Sequence, residues 1–358
     1  MTVYAGKQTV QARASIVFFQ GGSLPYDTWY VCPPFNWPAL PAQEENSVPR
    51  LSIIVPHRHD DARLESTLLS VLENRPNDSE IIVVHDGSYN DPYSLDDEVI
   101  FIAEQPASNT LQLLNAGLMA SCSPAICVLL DGNTVSAGWS ASPLDKLLGE
   151  ETAAVAVSVG SSRNTSSRSA SAAHGIDARL LRPGMAQTGR VELTSGRGDC
   201  IGPLLACGFY RRKVLLAVGG WNDALDEHIA DVELALALSS HGFHCLRDDT
   251  LAAVADAGQT RRLSSMAWKQ LASLAAAHGL VASSWGNSIS DLMSGCLQGR
   301  MFAALAWSAG LRDANTIRRT QLRLNHARQQ FSGAGHQQLL RIHHGESNTA
   351  SQQRRFAA

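Results

Sequence analysis

The chain has 358 residues, 44% of them hydrophobic, and a formal net charge of −4. This is enough apolar material for one large or two small soluble globular domains, and the charge offers no whole-chain attraction for nucleic acid, so no nucleic-acid partner is expected. Seven cysteines without a C-x-x-C pair argue against a zinc knuckle or a disulfide framework, and no run of about 18 apolar residues suggests a membrane span.

Residues 1–47 hold an apolar run from Ala14 to Phe19, a Gly-Gly turn and an aromatic, proline-rich stretch from Tyr26 to Pro41. They read as an extension that packs on the domain, joined to it by the polar linker Pro41 to Pro49. The polar stretch Thr2 to Ser15 lacks the pattern of a secretory signal, and with free thiols a cytoplasmic location is expected.

From Leu51 the pattern alternates. Leu51-Ser-Ile-Ile-Val55 is a buried strand, and Ala62 to Glu73 places Leu64, Leu68, Leu69, Val71 and Leu72 at helical spacing. Glu80 to Val84 is a second strand, stopped by the turn Asp86-Gly-Ser88. Val99 to Ile102 is a short strand and Thr110 to Ser121 a helix. Ala125 to Leu130 is a strand that runs straight into Asp131-Gly-Asn133. This β-α-β-β-α-β order predicts an α/β domain with a mostly parallel, Rossmann-like sheet, in which ligands bind beyond the carboxyl ends of the strands.

In the second half, Ala153 to Val159 reads as a strand, Ser161 to Ala173 as a mobile loop, Asp231 to Ser240 as a helix and Leu251 to Val254 as a last short strand. After Arg261 the chain becomes helical and alanine-rich, with Trp268, Trp285 and Trp307. It then turns basic, and its last fifteen or so residues read as disordered. The expected organisation is thus an extension over 1–47, a domain over 48–260 and a helical C-terminal extension over 261–358. The tail, polar with interspersed Trp and Leu, is also a candidate for peripheral contact with the inner face of a membrane.

Leu51 to Pro56, Leu64 to Leu72, Glu80 to Ser88, Leu114-Asn-Ala-Gly-Leu118, Val128 to Asn133, Cys207 to Arg212, Val218-Gly-Gly-Trp-Asn222 and Ala230-Asp-Val-Glu-Leu234 follow one another in a telling order. Together they resemble the family 2 inverting glycosyltransferases of the GT-A fold, over about 200 residues. That resemblance implies transfer of a hexosyl group from a UDP- or GDP-linked sugar to a hydroxyl of a glycan, lipid or protein. It also implies a mixed sheet flanked by helices, with manganese or magnesium as cofactor.

Residue by residue, the resemblance implies that Pro56, His57, Arg58 and Asp86 border the nucleobase and ribose. Asp86 can accept hydrogen bonds from a base N–H or a ribose hydroxyl, although Asp-Gly also simply closes turns. Asp131 and Gly132 would lie at the diphosphate. Asp131 and Asn133 would hold the metal, with Asn133 offering only a neutral carbonyl where the family has a carboxylate, and Asp256 positioned to supply the missing charge. Asp231 would be the base, at the start of a helix whose dipole favours its negative charge. Gly202, Cys207 and Trp221 would border the acceptor, with Trp221 equally suited to a core position. Leu114, His85, His57-Arg58-His59 and Ala230 depart from the family pattern. These departures leave open a second reading, a GT-A domain that no longer turns over and serves as a binding or scaffold module.

Overall fold

A computed structural model of the chain describes residues 49–106, 108–149, 152–161, 175–177, 200–255, 263–279 and 301–334. The expectations for residues 1–47, for 162–173, for Asp256 and Trp285 and for the end of the chain lie outside these residues.

The first half follows the alternation of the sequence. Strand β1 (Leu51–His57) is buried at every position, as a strand covered on both faces must be. Helix α1 (Asp61–Glu73) starts at Asp60, whose side chain accepts from the backbone N–H of Arg63. Then come β2 (Ser79–His85), β3 (Ile100–Ala103) and α2 (Thr110–Ala120), the last opened by a capping box between Asn109 and Gln112. Strand β4 (Ala125–Leu129) leads into the two-residue β5 (Asn133–Thr134) and helix α3 (Ala141–Gly149).

The second half adds β6 (Ala154–Ser161), β7 (Ile176–Asp177), β8 (Cys200–Gly202), β9 (Cys207–Arg211), α4 (Arg212–Ala217), α5 (Glu227–Ser240) and β10 (Cys245–Ala255). Three further helices are α6 (Ser265–Ala277), α7 (Met301–Gly310) and α8 (Ala314–Ala334).

Eight strands form one sheet in the order β3-β2-β1-β4-β9-β6-β10-β5, and β7 pairs with β8 alone. Strands β3, β2, β1 and β4 run parallel, β9 runs against its neighbours β4 and β6, β6 and β10 run parallel, and β5 is antiparallel to β10. Only β9 and β5 oppose the common direction, so the fold is a mixed, mostly parallel α/β sheet flanked by helices, with a helical C-terminal extension.

Alternation along β1 divides the core. Leu51, Ile53 and Val55 join Leu64, Leu68 and Val71 of α1 in one apolar cluster, while Ile54 joins Leu111, Leu114 and Leu118 of α2 in another. Helices α6 and α7 meet where Gly310 lacks a Cβ, which would lie 2.0 Å from the Lys269 carbonyl oxygen, and Trp268 meets Trp307 edge to face. Helix α8 lies against the end of α5. There Phe331 packs on Phe243, and the Leu324 carbonyl faces His241 Nε2 at 3.1 Å.

Strand β10 is longer than the sequence suggests. Its polar start, Arg247-Asp-Asp-Thr250, breaks the apolar pattern, and the pairing with β6 shifts register there. Buried Asp248 is satisfied by Ser142 Oγ at 2.6 Å and Lys146 Nζ at 3.1 Å, both from α3. These contacts hold its carboxyl down at about 2 against the cost of burial.

Candidate active site

The carboxyl rim of β2, β1 and β4 collects the polar residues. His57 pairs with His85 across β1 and β2, and the β1–β4 register sets Leu51 level with Ala125 and Ile54 level with Val128. Carried to the strand ends, that register brings His57 level with Asp131.

The two side chains meet. His57 is fully buried, with Nδ1 3.1 Å from Asp131 Oδ2 and Nε2 3.0 Å from Asp61 Oδ1. Burial pulls its pKa down, but the hydrogen bonds to Asp131 and Asp61 outweigh it and raise the value overall. A carboxylate at each ring nitrogen favours the doubly protonated, cationic imidazole. Beside it His85 is pushed the other way, by burial and by the His57 charge. Tyr89 meets both rings edge-on.

Asp131 has a second cation. Arg63 Nη2 donates to the Asp131 backbone carbonyl at 2.8 Å and lies 3.9 Å from Oδ1. Gly132 makes room for it. Its φ is +79°, and a Cβ there would lie 2.3 Å from Arg63 Nε. The Gly132 N–H donates to Thr67 Oγ1 at 2.9 Å, one helical turn beyond Arg63 on α1.

Asn133 faces inward. It is fully buried, and its amide group donates to the Leu130 and Ala206 carbonyls at 2.8 and 3.1 Å, while its Oδ1 has no hydrogen-bond partner among the described residues. The ligand pair implied for a divalent cation is therefore not assembled. Asp131 is held by two protein cations and Asn133 is locked under the strand ends. The described residues contain no cluster of three or more His, Cys, Asp or Glu able to hold a metal. Among the described residues Asp131 and Asn133 do not by themselves make up a divalent-ion site, and Asp256, the third implied ligand, lies outside these residues.

Asp231 belongs to the same rim by a different route. Strand β9 begins opposite the end of β4, with Cys207 level with Leu129, and Leu130 N–H donates to the Ala206 carbonyl at 3.1 Å. The next N–H back, that of Leu205, donates to Asp231 Oδ2 at 3.2 Å. This path links the end of β4 to the Asp231 carboxylate through two hydrogen bonds and two residues of chain.

The sequence places Asp231 at a helix start, where the dipole would favour its charge. The helix instead begins at Glu227 with Asp226 as N-cap, so Asp231 sits in its second turn. Burial dominates there. It raises the carboxyl to about 6, against hydrogen bonds from the Leu205 and Val232 N–H groups that favour the charge. The residue as a whole is only partly exposed.

Asp86 stands at the end of β2 and accepts from Ser88 N–H at 3.2 Å and Ser88 Oγ at 2.6 Å, the turn-closing arrangement. Its partial burial is outweighed by these bonds and by the nearby His59 and Arg58, so its carboxyl lies below the ordinary range. Pro56 is buried within β1, and Arg58 follows His57 with a buried Nε that has no partner among the described residues.

The implied acceptor residues lie elsewhere. Cys207 is fully buried in β9, beside Cys127 of β4. Gly202 serves packing, since a Cβ there would lie 2.4 Å from Ala235 Cβ on α5. Trp221 is 1% exposed and meets Tyr210 edge to face. Its backbone N–H and carbonyl are both taken by Asn115, at 2.9 and 2.8 Å. All three build the core.

Sequence reasoning missed Asp61, Arg63, Thr67 and the Leu205 N–H. For the α1 residues a signal was available. A helix that follows a strand immediately has its first turns at the carboxyl rim, and Arg63 and Thr67 are i, i+4 neighbours on one face. Nothing in the sequence marked Leu205.

Carboxylates and basic side chains gathered at the carboxyl ends of a mostly parallel sheet define the class: an α/β protein whose polar residues collect at the strand ends, where α/β sheets bind ligands. No protein-family model and no curated protein matches the chain. Among solved structures it is similar to the mannosyltransferase PcManGT from Pyrobaculum calidifontis, in complex with GDP-Man and Mn2+, at 16% identity and a TM-score of 0.45. That likeness covers 81% of this chain and 77% of that one. It is also similar to GalNAc-T7 with UDP, GalNAc and Mn2+, at 12% identity and a TM-score of 0.49, over 75% of this chain and 57% of that one. At such identities and TM-scores neither likeness says anything of this chain's activity.

Proposed function

We propose that the chain is a GT-A-type glycosyltransferase that moves a sugar from UDP or GDP to a hydroxyl of a glycan, lipid or protein. The observation that carries this reading is Asp231, a largely buried carboxyl raised to about 6, joined to the Asp131 segment through Leu130, Ala206 and Leu205. A base for hydroxyl deprotonation works best when its pKa lies near the working pH.

In this reading the acceptor oxygen attacks the anomeric carbon as the bond to the diphosphate breaks, with inversion, and Asp231 takes the hydroxyl proton. Leu205 and Val232 N–H fix the carboxylate, leaving its remaining lone pairs for the acceptor. Asp86 and Arg58, at the ends of β2 and β1, would border the nucleoside in this reading, and Arg63 and Asp131, beside β4, the diphosphate. The nucleoside diphosphate leaves with both electrons of the broken bond.

The test is release of UDP or GDP from UDP- and GDP-hexoses across a panel of acceptors, with wild type and Asp231→Asn compared. Binding is checked by thermal shift, where a ligand at a hundred times its Kd adds about 2.7 kcal/mol. Absence of any shift by UDP or GDP removes the reading.

The second reading, a binding or scaffold module without turnover, draws on the inward-facing Asn133 and on Ala230, fully buried where the family has an acid. Cellular function retained in both Asp231→Asn and Asp131→Ala would decide for it. The proposed peripheral membrane contact rests on the tail. No helix of the described residues is long and apolar enough to cross a membrane, and vesicle co-sedimentation of the full chain measures surface binding directly.

A further inference from the structure

A nucleoside diphosphate brings two or more negative charges into the cleft, and the developing charge on its leaving oxygen has to be met by a cation. Enzymes use metal ions or Arg and Lys side chains for this purpose. One cation of the chain itself, the Arg63 guanidinium, stands beside Asp131.

Three observations lead there. First, both Asp131 oxygens already have side chains of the protein beside them, the His57 ring 3.1 Å from Oδ2 and the Arg63 guanidinium 3.9 Å from Oδ1, so a divalent ion arriving at Oδ1 would meet the Arg63 charge a few ångströms away. Second, Asn133 is held away from the cleft by two hydrogen bonds to main-chain carbonyls, and no rotation of its amide would expose an oxygen without breaking both. Third, the backbone is shaped to seat Arg63. Gly132 adopts φ +79°, and any Cβ there would collide with Nε and Nη2 of the guanidinium, at 2.3 and 2.5 Å. Arg63 keeps 33% of its side chain exposed, while its Nε is buried without a hydrogen-bond partner among the described residues. A guanidinium held at one edge by a main-chain carbonyl still presents other N–H groups in the planar fork that matches phosphate oxygens.

We infer that Arg63, braced by Asp131 and seated over Gly132, supplies the counter-charge to the diphosphate, and that UDP or GDP binds this protein without a divalent metal. Asp131 then orients Arg63 and His57, acting as a positioning residue. This inference rests on the nucleotide-sugar reading above.

Isothermal titration of the full chain with UDP and with GDP, in EDTA and again in manganese, tests both and separates them. The expected result is binding of one nucleotide with a Kd that agrees within about twofold between EDTA and manganese. Arg63→Gln is expected to weaken that binding by about tenfold or more, the size of a lost charge-assisted hydrogen bond, with no recovery on adding manganese. Arg63→Lys, which keeps the charge but not the fork, should fall between wild type and Arg63→Gln. Binding that appears in manganese and vanishes in EDTA overturns the inference and leaves the glycosyltransferase reading standing. No binding of either nucleotide in either buffer overturns both. The comparison of EDTA with manganese uses only wild-type protein, so it decides the matter even where Arg63→Gln fails to fold.

Discussion

Replacing Asp231 by Asn changes one atom at the centre of the proposed chemistry and leaves a signature in stability that a purely structural residue would not. The folded carboxyl stands at about 6, raised by burial from an ordinary value of 3.8. An acid held above its unfolded value loses its proton more readily in the unfolded chain, so its contribution to stability falls as the pH rises from about 4 to about 6. With 1.36 kcal/mol for each pH unit, the ionised form costs about 1 kcal/mol at pH 4.5 and about 3 kcal/mol at pH 7.5.

Asn carries no such cost, but its NH2 must face one of the N–H groups of Leu205 and Val232 that now donate to the carboxylate. That is a loss of about 1 to 3 kcal/mol, much the same at every pH. The variant should therefore gain about 2 kcal/mol on the wild type between pH 4.5 and 7.5, whatever its absolute offset. Urea denaturation of both proteins at the two pH values measures this. Turnover should drop by about a hundredfold or more, and the wild-type kcat should rise with pH through about 6. A stability difference that stays flat with pH would show that Asp231 is not held at a raised value, and the base assignment would lose its physical basis.

Other predictions follow from single contacts. Gly132→Ala is expected to cost about 1 to 3 kcal/mol, the usual scale of backbone strain, because of its positive φ and the Arg63 guanidinium above it. An unchanged urea midpoint would place Arg63 elsewhere. Trp221→Ala should cost about 3 to 5 kcal/mol, as for other buried aromatics. A small loss accompanied by a raised acceptor KM would return Trp221 to the cleft. Glu233 is fully buried on α5 with Arg323 Nε of α8 3.7 Å away, and burial raises its carboxyl despite that charge. Arg323→Ala should cost about 3 to 5 kcal/mol near pH 8. The loss should shrink as the pH falls and Glu233 takes up its proton, and a deficit that does not vary with pH refutes the pairing.

Much of the fold was open to reading in the chain itself. Continuous apolar runs in β1, β2 and β4 and helical spacing in α1 and α2 follow from local sterics and the need to bury apolar side chains, so they are written into short windows. The same windows put Asp86 and Asp131 at strand ends, since a strand must stop where polar turn residues begin. What they could not hold is which partner a side chain meets. Asn133, Cys207, Gly202 and Trp221 sit in motifs that resemble functional ones, yet the described structure spends all four on packing and main-chain hydrogen bonds. Asp248 looks like a strand breaker until Ser142 and Lys146 arrive from α3.

The pairing of His57 with Asp131, the seat of Arg63 over Gly132 and the raised carboxyl of Asp231 depend on residues 74, 69 and 26 positions apart in the chain. The sequence by itself determined the class of sheet and the rim on which its acids would stand. The charge each acid carries there was decided only in the folded molecule, because desolvation and ion pairing are properties of a three-dimensional surrounding that no local stretch of residues contains.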